Sequence, residues 1–207
     1  MRYPPILIIM ALLVSVAALA FNPDEALRQY QQTDQQQRQS ELTDRYEFIG
    51  QDGGIVHDTL TDLHWMRCSL GQTWEAGEQT CSGTAGRFKY ADAELLARLL
   101  NEEGGYGDHT DWRLPTRAEL QTLVYCSSGQ PARFKSHNRN ACEGNFRRPT
   151  LVTAAFPNTP AHTYWAVSLQ QGQGYDHGAW LVHFNLGHVS KGGAFYYSRV
   201  RLVRREL

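Results

Sequence analysis

The sequence predicts an α+β domain built on an antiparallel sheet, and three observations predict it. Short strand-like runs stand at both ends of residues 46–207, two helical segments lie between them, and four cysteines flank turn-rich loops. The stretch before residue 46 has a different composition and reads as two separate pieces.

The first piece is a leader. Residues 6–21, ILIIMALLVSVAALAF, form a 16-residue apolar run with Arg2 before it and Ala18-Leu19-Ala20 near its end. A basic start, an apolar stretch and a small-x-small site predict a secretory signal peptide over residues 1–20. The run is short for a hydrocarbon layer about 30 Å thick, so cleavage after Ala20 is expected rather than a retained anchor. Membrane contact is expected only through this leader, if it stays uncleaved. No cysteine follows the run, which argues against a lipid-anchored N-terminus. The second piece, residues 21–45, reads as a polar linker. It holds seven glutamines from Gln29 to Gln39 and no apolar residue between Tyr30 and Leu42. A helix there has no face to bury, and no heptad seam is present, so a solvated spacer is expected.

The folded domain is expected over residues 46–207. Tyr46-Glu47-Phe48-Ile49 reads as a strand, Asp52-Gly53-Gly54 as a turn and Ile55-Val56 as the returning strand. Leu63-His64-Trp65-Met66 is a third strand, and the Gly-, Ser- and Thr-rich residues 69–88 read as a loop. Residues 90–102 place Ala93, Leu96, Ala97 and Leu100 at helical spacing, and Gly104-Gly105 ends the helix. A second helix starts after Pro115. Thr116 and Glu119 form a capping box, each satisfying the other's backbone amide, and Leu120, Leu123 and Val124 form the buried stripe. Beyond Pro149 the pattern becomes period two. Trp165, Val167 and Leu169 share one face, as do Trp180, Val182 and Phe184, and Asn185-Leu186-Gly187 turns the chain into His188-Val189. The last strand is Arg199–Val203, with Val200 and Leu202 inward.

Four cysteines, Cys68, Cys81, Cys126 and Cys142, allow three pairings. Cys68–Cys81 and Cys126–Cys142 are expected because each closes a short local loop. Loops of this size contribute roughly 3 kcal/mol each in the chain-entropy model. No pair has the close C-x-x-C type of spacing that structural zinc sites use, and an even count suits an oxidising compartment. The formal charge is −1, with 42% hydrophobic and 20% charged residues, which supports a packed core and gives no reason to expect a nucleic-acid partner.

Several strings then fall into order. They are Asp58-Thr59-Leu60-Thr61-Asp62-Leu63-His64-Trp65-Met66-Arg67, Cys68-Ser69-Leu70-Gly71-Gln72-Thr73-Trp74 closed by Cys81, and Asp111-Trp112-Arg113-Leu114-Pro115-Thr116 with Glu119-Leu120. Phe156-Pro157-Asn158-Thr159, Tyr164-Trp165, Ala179-Trp180 and Arg199-Val200-Arg201-Leu202-Val203-Arg204 complete the set. Over about residues 46–205 the chain resembles the family named after the C-terminal domain of the Legionella collagen-like adhesin. The resemblance implies a C-type lectin-like architecture, two helices packed on antiparallel strands, and ligand binding at the surface. For the namesake it implies adhesion to sulfated polysaccharide, and it transfers no catalytic centre. The chain departs from the family pattern at Asp62, where Gly is usual, and in a longer, more basic insert at residues 127–148.

Candidate sites follow. Trp65, Trp112, Arg113, Pro115, Thr116 and Glu119 read as architecture: Pro115 and Thr116 start a capped helix, Trp112 fills core, and Arg113 pairs with a carboxylate or carbonyls. Asp108, His109 and Asp111 lack the calcium signatures and read as a solvated turn. His162, His177, His183 and His188 show no metal-binding spacing, and His183 is expected to point away from the Trp180 face. Arg133, Lys135, Arg139, Arg147 and Arg148 surround the second disulfide loop and suit anionic groups through bidentate contacts. Tyr164, Ser168, Tyr175, Asp176, His177, His183, Asn185, Tyr196 and Tyr197 are the expected exposed contacts. Tyrosine offers large contact area at low entropy cost, and short polar residues add adaptable hydrogen bonds.

No nucleophile elbow, P-loop or dinucleotide fingerprint is present. The formylglycine-generating enzymes of the lectin-like fold need free thiols, whereas these cysteines read as paired. The expectation is an exported, non-catalytic binding module without metal or cofactor, periplasmic or at the cell surface. Its ligand is expected to be an anionic polysaccharide or an envelope protein. A pilus- or secretion-associated component and a hydrolase are the alternatives.

Overall fold

The computed structural model describes residues 22–130, 141–167, 179–193 and 195–205. Contacts divide the chain into two units, residues 1–36 and 37–207. The expected spacer contains a long helix, α1 (Pro23–Asp44). The Asn22 side chain accepts from the amides of Asp24 and Glu25, and Asp24 and Glu25 lie in the first turn, where negative charge favours a helix. Leu27 and Tyr30 are exposed on it. Local capping and helix-forming residues favour the helix, and the described side chains of its first half are exposed.

Among the described residues, the domain contains three antiparallel sheets. The first holds β1 (Tyr46–Ile49), β2 (Ile55–Asp58), β3 (Leu63–Met66) and the short C-terminal β9 (Val203–Arg204), in the order β1-β2-β3-β9. Successive antiparallel pairs place Phe48 opposite Val56 and Val56 opposite Trp65. The expected loop over residues 69–88 contains a hairpin instead, β4 (Thr73–Glu75) and β5 (Thr80–Ser82), with Trp74 opposite Cys81. The Cys68–Cys81 disulfide ties this hairpin to the end of β3. The third sheet, β6 (Thr163–Ala166), β7 (Trp180–His183) and β8 (His188–Lys191), runs β6-β7-β8.

The helices stand where the sequence places them. α2 (Tyr90–Glu102) buries Ala93 and Ala97. α3 (Arg117–Gln121) is only five residues long, but its capping box is complete: Thr116 Oγ1 accepts from the Glu119 amide at 3.2 Å, and Glu119 Oε2 accepts from the Thr116 amide at 2.8 Å. Asn101, near the end of α2, brackets the Trp112 backbone. Its Nδ2 donates to the Trp112 carbonyl at 2.7 Å, and its Oδ1 accepts the Trp112 amide at 3.0 Å.

One core cluster gathers Trp65, Leu120, Leu123, Phe156, Tyr164, Val182 and Phe184. The other gathers Trp112, Leu114, Trp165, Leu181, Val200 and Leu202. Each large side chain so buried contributes roughly 1.5–3 kcal/mol of transfer free energy. β6 lies between them, Tyr164 and Ala166 in the first and Trp165 in the second, so both faces of its sheet are covered there.

Arg201, expected to point outward between Val200 and Leu202, is fully buried. Its guanidinium donates to the carbonyls of Met66 and Arg67 and to Thr159 Oγ1, and stacks over the Phe156 ring. Arg67 donates to the Gly53, Ala154 and Ala155 carbonyls between the rings of Phe48 and Trp74, 4.0 and 4.1 Å from their centroids. Carbonyl dipoles and ring faces thus offset the burial of two cations, with only Arg201 Nε of the Arg201 and Arg67 guanidinium groups buried and unpartnered. Among the described residues no helix is long and apolar enough to cross a membrane.

Candidate ligand-binding face

The third sheet positions the site. β8 ends at Lys191, Gly192 then lies on the Trp165 ring, and residues 195–197 lead into Ser198, which pairs with Phe88, and Arg199, which pairs with β6. Gly192 lies so close to the Trp165 ring that a Cβ there would meet Cζ3 at 2.2 Å. Its amide donates to the Ala179 carbonyl at 2.9 Å. At the far end, Ser198 exchanges backbone bonds with Phe88, and Trp165 donates to the Arg199 carbonyl. The segment is therefore pinned at both ends, and its tip projects.

That tip is aromatic. Phe195 is 87% exposed, Tyr196 59% and Tyr197 49%. The Lys89 ammonium stands 5.6 Å from the Tyr197 ring centroid. Three consecutive exposed rings on a pinned loop form a concentrated apolar surface, which isolated surface aromatics do not. Tyr196 and Tyr197 are thus exposed as the sequence reading expects. Phe195 and Lys89 escaped that reading because period-two alternation stops at β8. A Gly-Gly turn followed by consecutive aromatics was the signal available.

Tyr164 is a correction. It is fully buried, and its hydroxyl sits 2.7 Å from Ser69 Oγ. Burial raises its pKa. The exposed reading assumed a sheet with one wet face, but the core covers both faces of β6. His183 is corrected likewise. It is half-buried, stacked on His188 with centroids 3.8 Å apart and planes 22° apart, and its Nε2 lies 2.7 Å from Ser190 Oγ. Burial, followed by the fields of His188 and His162, pushes its imidazole down to about 4. Asn185 is also half-buried, in the turn between β7 and β8.

The basic insert meets that turn. Arg148 Nε donates to the Asn185 carbonyl at 2.9 Å, and the Cys142 amide donates to the Leu186 carbonyl at 2.7 Å. The second disulfide, Cys126–Cys142, packs against Gly187, where φ is +77° and a Cβ would meet Cys142 Sγ at 3.0 Å. Arg147 and Arg148 are exposed. Arg133, Lys135, Arg139, Ser168, Tyr175, Asp176 and His177 lie outside the described residues.

The remaining candidates are architectural. Trp65 and Trp112 are buried, and Trp112 Nε1 donates to the Tyr106 carbonyl at 2.9 Å. Arg113 Nη1 and Nη2 grip Glu119 Oε2 and Oε1 at 2.9 and 2.8 Å. Pro115 accepts the Val167 amide, joining α3's first turn to the end of β6. A cleft of about 480 Å³ opens beside this motif, lined by Glu94, Ala97, Arg98, Trp112, Arg113, Leu114 and Val167. Two of its charges are already engaged, Arg113 with Glu119 and Glu94 with the Tyr90 hydroxyl. Asp111 Oδ1 accepts from Arg204 Nε at 2.7 Å, so this carboxylate ties the segment before α3 to the end of β9. Among the described residues no group of three or more His, Cys, Asp or Glu side chains is arranged to hold a metal ion.

A family model described as the Lcl C-terminal domain matches residues 54–204. The chain belongs to that family. No curated protein and no solved structure matches it. The matched span of this Lcl C-terminal domain takes in both disulfides, the Arg113–Glu119 motif and the aromatic tip. It opens at Gly54, where a Cβ would strike the Tyr106 hydroxyl at 1.9 Å. Family strings acquire physical roles here. In Phe156-Pro157-Asn158-Thr159, Phe156 fills core, Asn158 Nδ2 donates to the Cys81 carbonyl at 2.8 Å, and Thr159 Oγ1 accepts from Arg201 at 2.7 Å.

Proposed function

We propose that this Lcl C-terminal domain is a non-catalytic ligand-binding module of the bacterial envelope or surface, exported by the leader over residues 1–20. The observation that carries the reading is the exposed Phe195-Tyr196-Tyr197 tip on a frame pinned by two disulfides. Rigid aromatic side chains gain contact area at low entropy cost, and a pinned loop has little further ordering to lose on binding. Arg147 and Arg148 supply a second, electrostatic contact zone for acidic groups. A C-type lectin-like architecture is part of the proposal. Family membership supports it, as do a first and a last strand sharing one sheet, two helices of the domain and local disulfides.

A glycan array read at low and high salt tests the proposal. Binding that weakens with salt implicates the arginines, because exposed charge contacts are screened. Binding that persists in high salt implicates the aromatic tip. An array with no bound glycan, together with no partner among envelope proteins from the native host, contradicts it.

A further inference from the structure

His183 ends β7 and His188 begins β8, so their rings face each other across the closing turn of the hairpin, 3.8 Å apart and nearly parallel. Neutral imidazoles stack favourably in this arrangement. Two imidazolium rings at that separation repel, and a half-buried setting screens the repulsion poorly. Ser190 Oγ can accept a hydrogen bond from His183 Nε2, but His188 Nδ1 is buried without a partner among the described residues. Protonating His188 therefore places a proton on a buried Nδ1, or keeps one there, with no acceptor among the described residues.

Among the described residues, the groups around the stack offer no negative charge. From the β6 side, Thr163 lies opposite His183, and the His162 carbonyl accepts the Phe184 amide at 2.9 Å. Arg199 and Arg87 act on His162 as further positive charges. Ser190 and Lys191 come from β8. From the second disulfide loop, Arg148 reaches the Asn185 carbonyl in the turn. Among the described residues, no carboxylate contributes to the electrostatics of His162, His183 or His188.

The hairpin also holds the aromatic tip. β8 leads directly into residues 192–197. The other end is held by the Ser198–Phe88 backbone bonds and also touches β6 through Ser198 Oγ, 2.8 Å from Thr163 Oγ1, which in turn lies 3.0 Å from His162 Nδ1. We propose that the His183–His188 stack is an acid-sensitive latch whose opening loosens the β7–β8 hairpin and with it the Gly192 end of the aromatic tip. Ligand release on acidification then follows, a consequence that rests on the ligand-binding reading; the latch itself does not.

The sign follows from linkage. His183 sits at about 4 when the hairpin is closed, against an ordinary value of 6.5. The open hairpin therefore takes up protons that the closed one refuses. Closure is most favoured above the ordinary value and is lost as pH falls toward the folded one.

Amide hydrogen exchange of the full chain, corrected for intrinsic rates, at pH 7 and at pH about 4.5, tests the latch. A shift of one pKa unit or more predicts at least about a tenfold loss of protection across β7, β8 and Gly192, while β2 and β3 stay protected. His188→Phe keeps a stacked ring without a base, and His183→Gln keeps a partner for Ser190. Each variant is expected to lose less protection than the parent at the lower pH, because one buried imidazole and the mutual repulsion are gone, and the double variant is expected to hold it. Equal changes in both sheets, or a variant that opens as the parent does, overturns the latch. An array without a bound ligand would remove the ligand reading and leave the exchange result standing, so the two failures are distinguishable.

Discussion

Arg113 and Glu119 join end to end, two guanidinium nitrogens against two carboxylate oxygens at 2.9 and 2.8 Å, while the same carboxylate caps α3. One side chain thus closes a helix start and clamps the strand-like segment that pairs with β9, where Arg113 and Val203 exchange backbone bonds. Glu119→Ala removes both functions. Chemical denaturation is expected to show a loss of about 1–2 kcal/mol, typical of a cap plus a partly exposed charged pair. Arg113→Lys retains only part of it, because an ammonium cannot reproduce the two-point fork.

The same carboxylate sets a pH dependence. Burial raises the Glu119 carboxyl, but the Arg113 fork and the Thr116 bonds outweigh it and hold the group below its ordinary value of 4.5. Its contribution to stability is present above that value and is lost as pH falls through the lower folded value. Melting temperatures measured between pH 6 and pH 3 are expected to fall less steeply in Glu119→Gln than in the parent.

His57 works in the opposite sense. Its burial lowers the pKa, but contacts with Glu47 at 3.3 Å and Asp62 at 3.1 Å raise it further than burial lowers it. The pair energy is present below pH 6.5 and is lost as pH rises through the raised folded value. His57→Gln is expected to flatten the decline in stability between about pH 6.5 and 8, an effect within the roughly 0.2–1 kcal/mol of exposed pairs. A decline unchanged by the substitution would assign it elsewhere.

The frame was legible in the sequence where one physical rule acted alone. α2 follows from its apolar spacing, α3 from its capping box, and the first three strands from short apolar runs, the first two joined by the turn at Gly53-Gly54. The two disulfides follow from the shortest loops. Legibility failed where tertiary burial overrode a local pattern. Tyr164 alternates with Trp165 as though one of them faced water, yet core covers both. Arg201 stands between inward Val200 and Leu202, yet carbonyls cradle it inside. The β4–β5 hairpin hides in a Gly-rich stretch because only three residues of each strand pair. At the site, the exposure of Tyr196 and Tyr197 was legible from residue type. The His183–His188 stack was not, because it depends on the register of the turn at Gly187.

Tyr164→Phe separates the two readings of that residue. Removing the hydroxyl leaves Ser69 Oγ without that bond in the core, so a loss of about 1–2 kcal/mol in denaturation is expected, with ligand binding unchanged. Weaker binding at an unchanged melting temperature would restore Tyr164 as a contact.

The paired substitution Cys126→Ser with Cys142→Ser removes the loop that packs on Gly187. A loss of about 3 kcal/mol is expected on thermal or chemical unfolding. Amides of β7 and β8 are expected to lose more protection than those of β2 and β3, because the loop meets the third sheet through the Leu186 carbonyl.

The central claim is that Phe195, Tyr196 and Tyr197 grip a ligand from a rigid frame. Binding to the glycan array and to native envelope proteins, compared between the parent and a variant with all three changed to Ala, tests it most directly. The account predicts at least about a hundredfold weaker binding with an unchanged melting temperature, since exposed rings add little to folding but dominate a contact surface. Undiminished binding by the triple variant would contradict it.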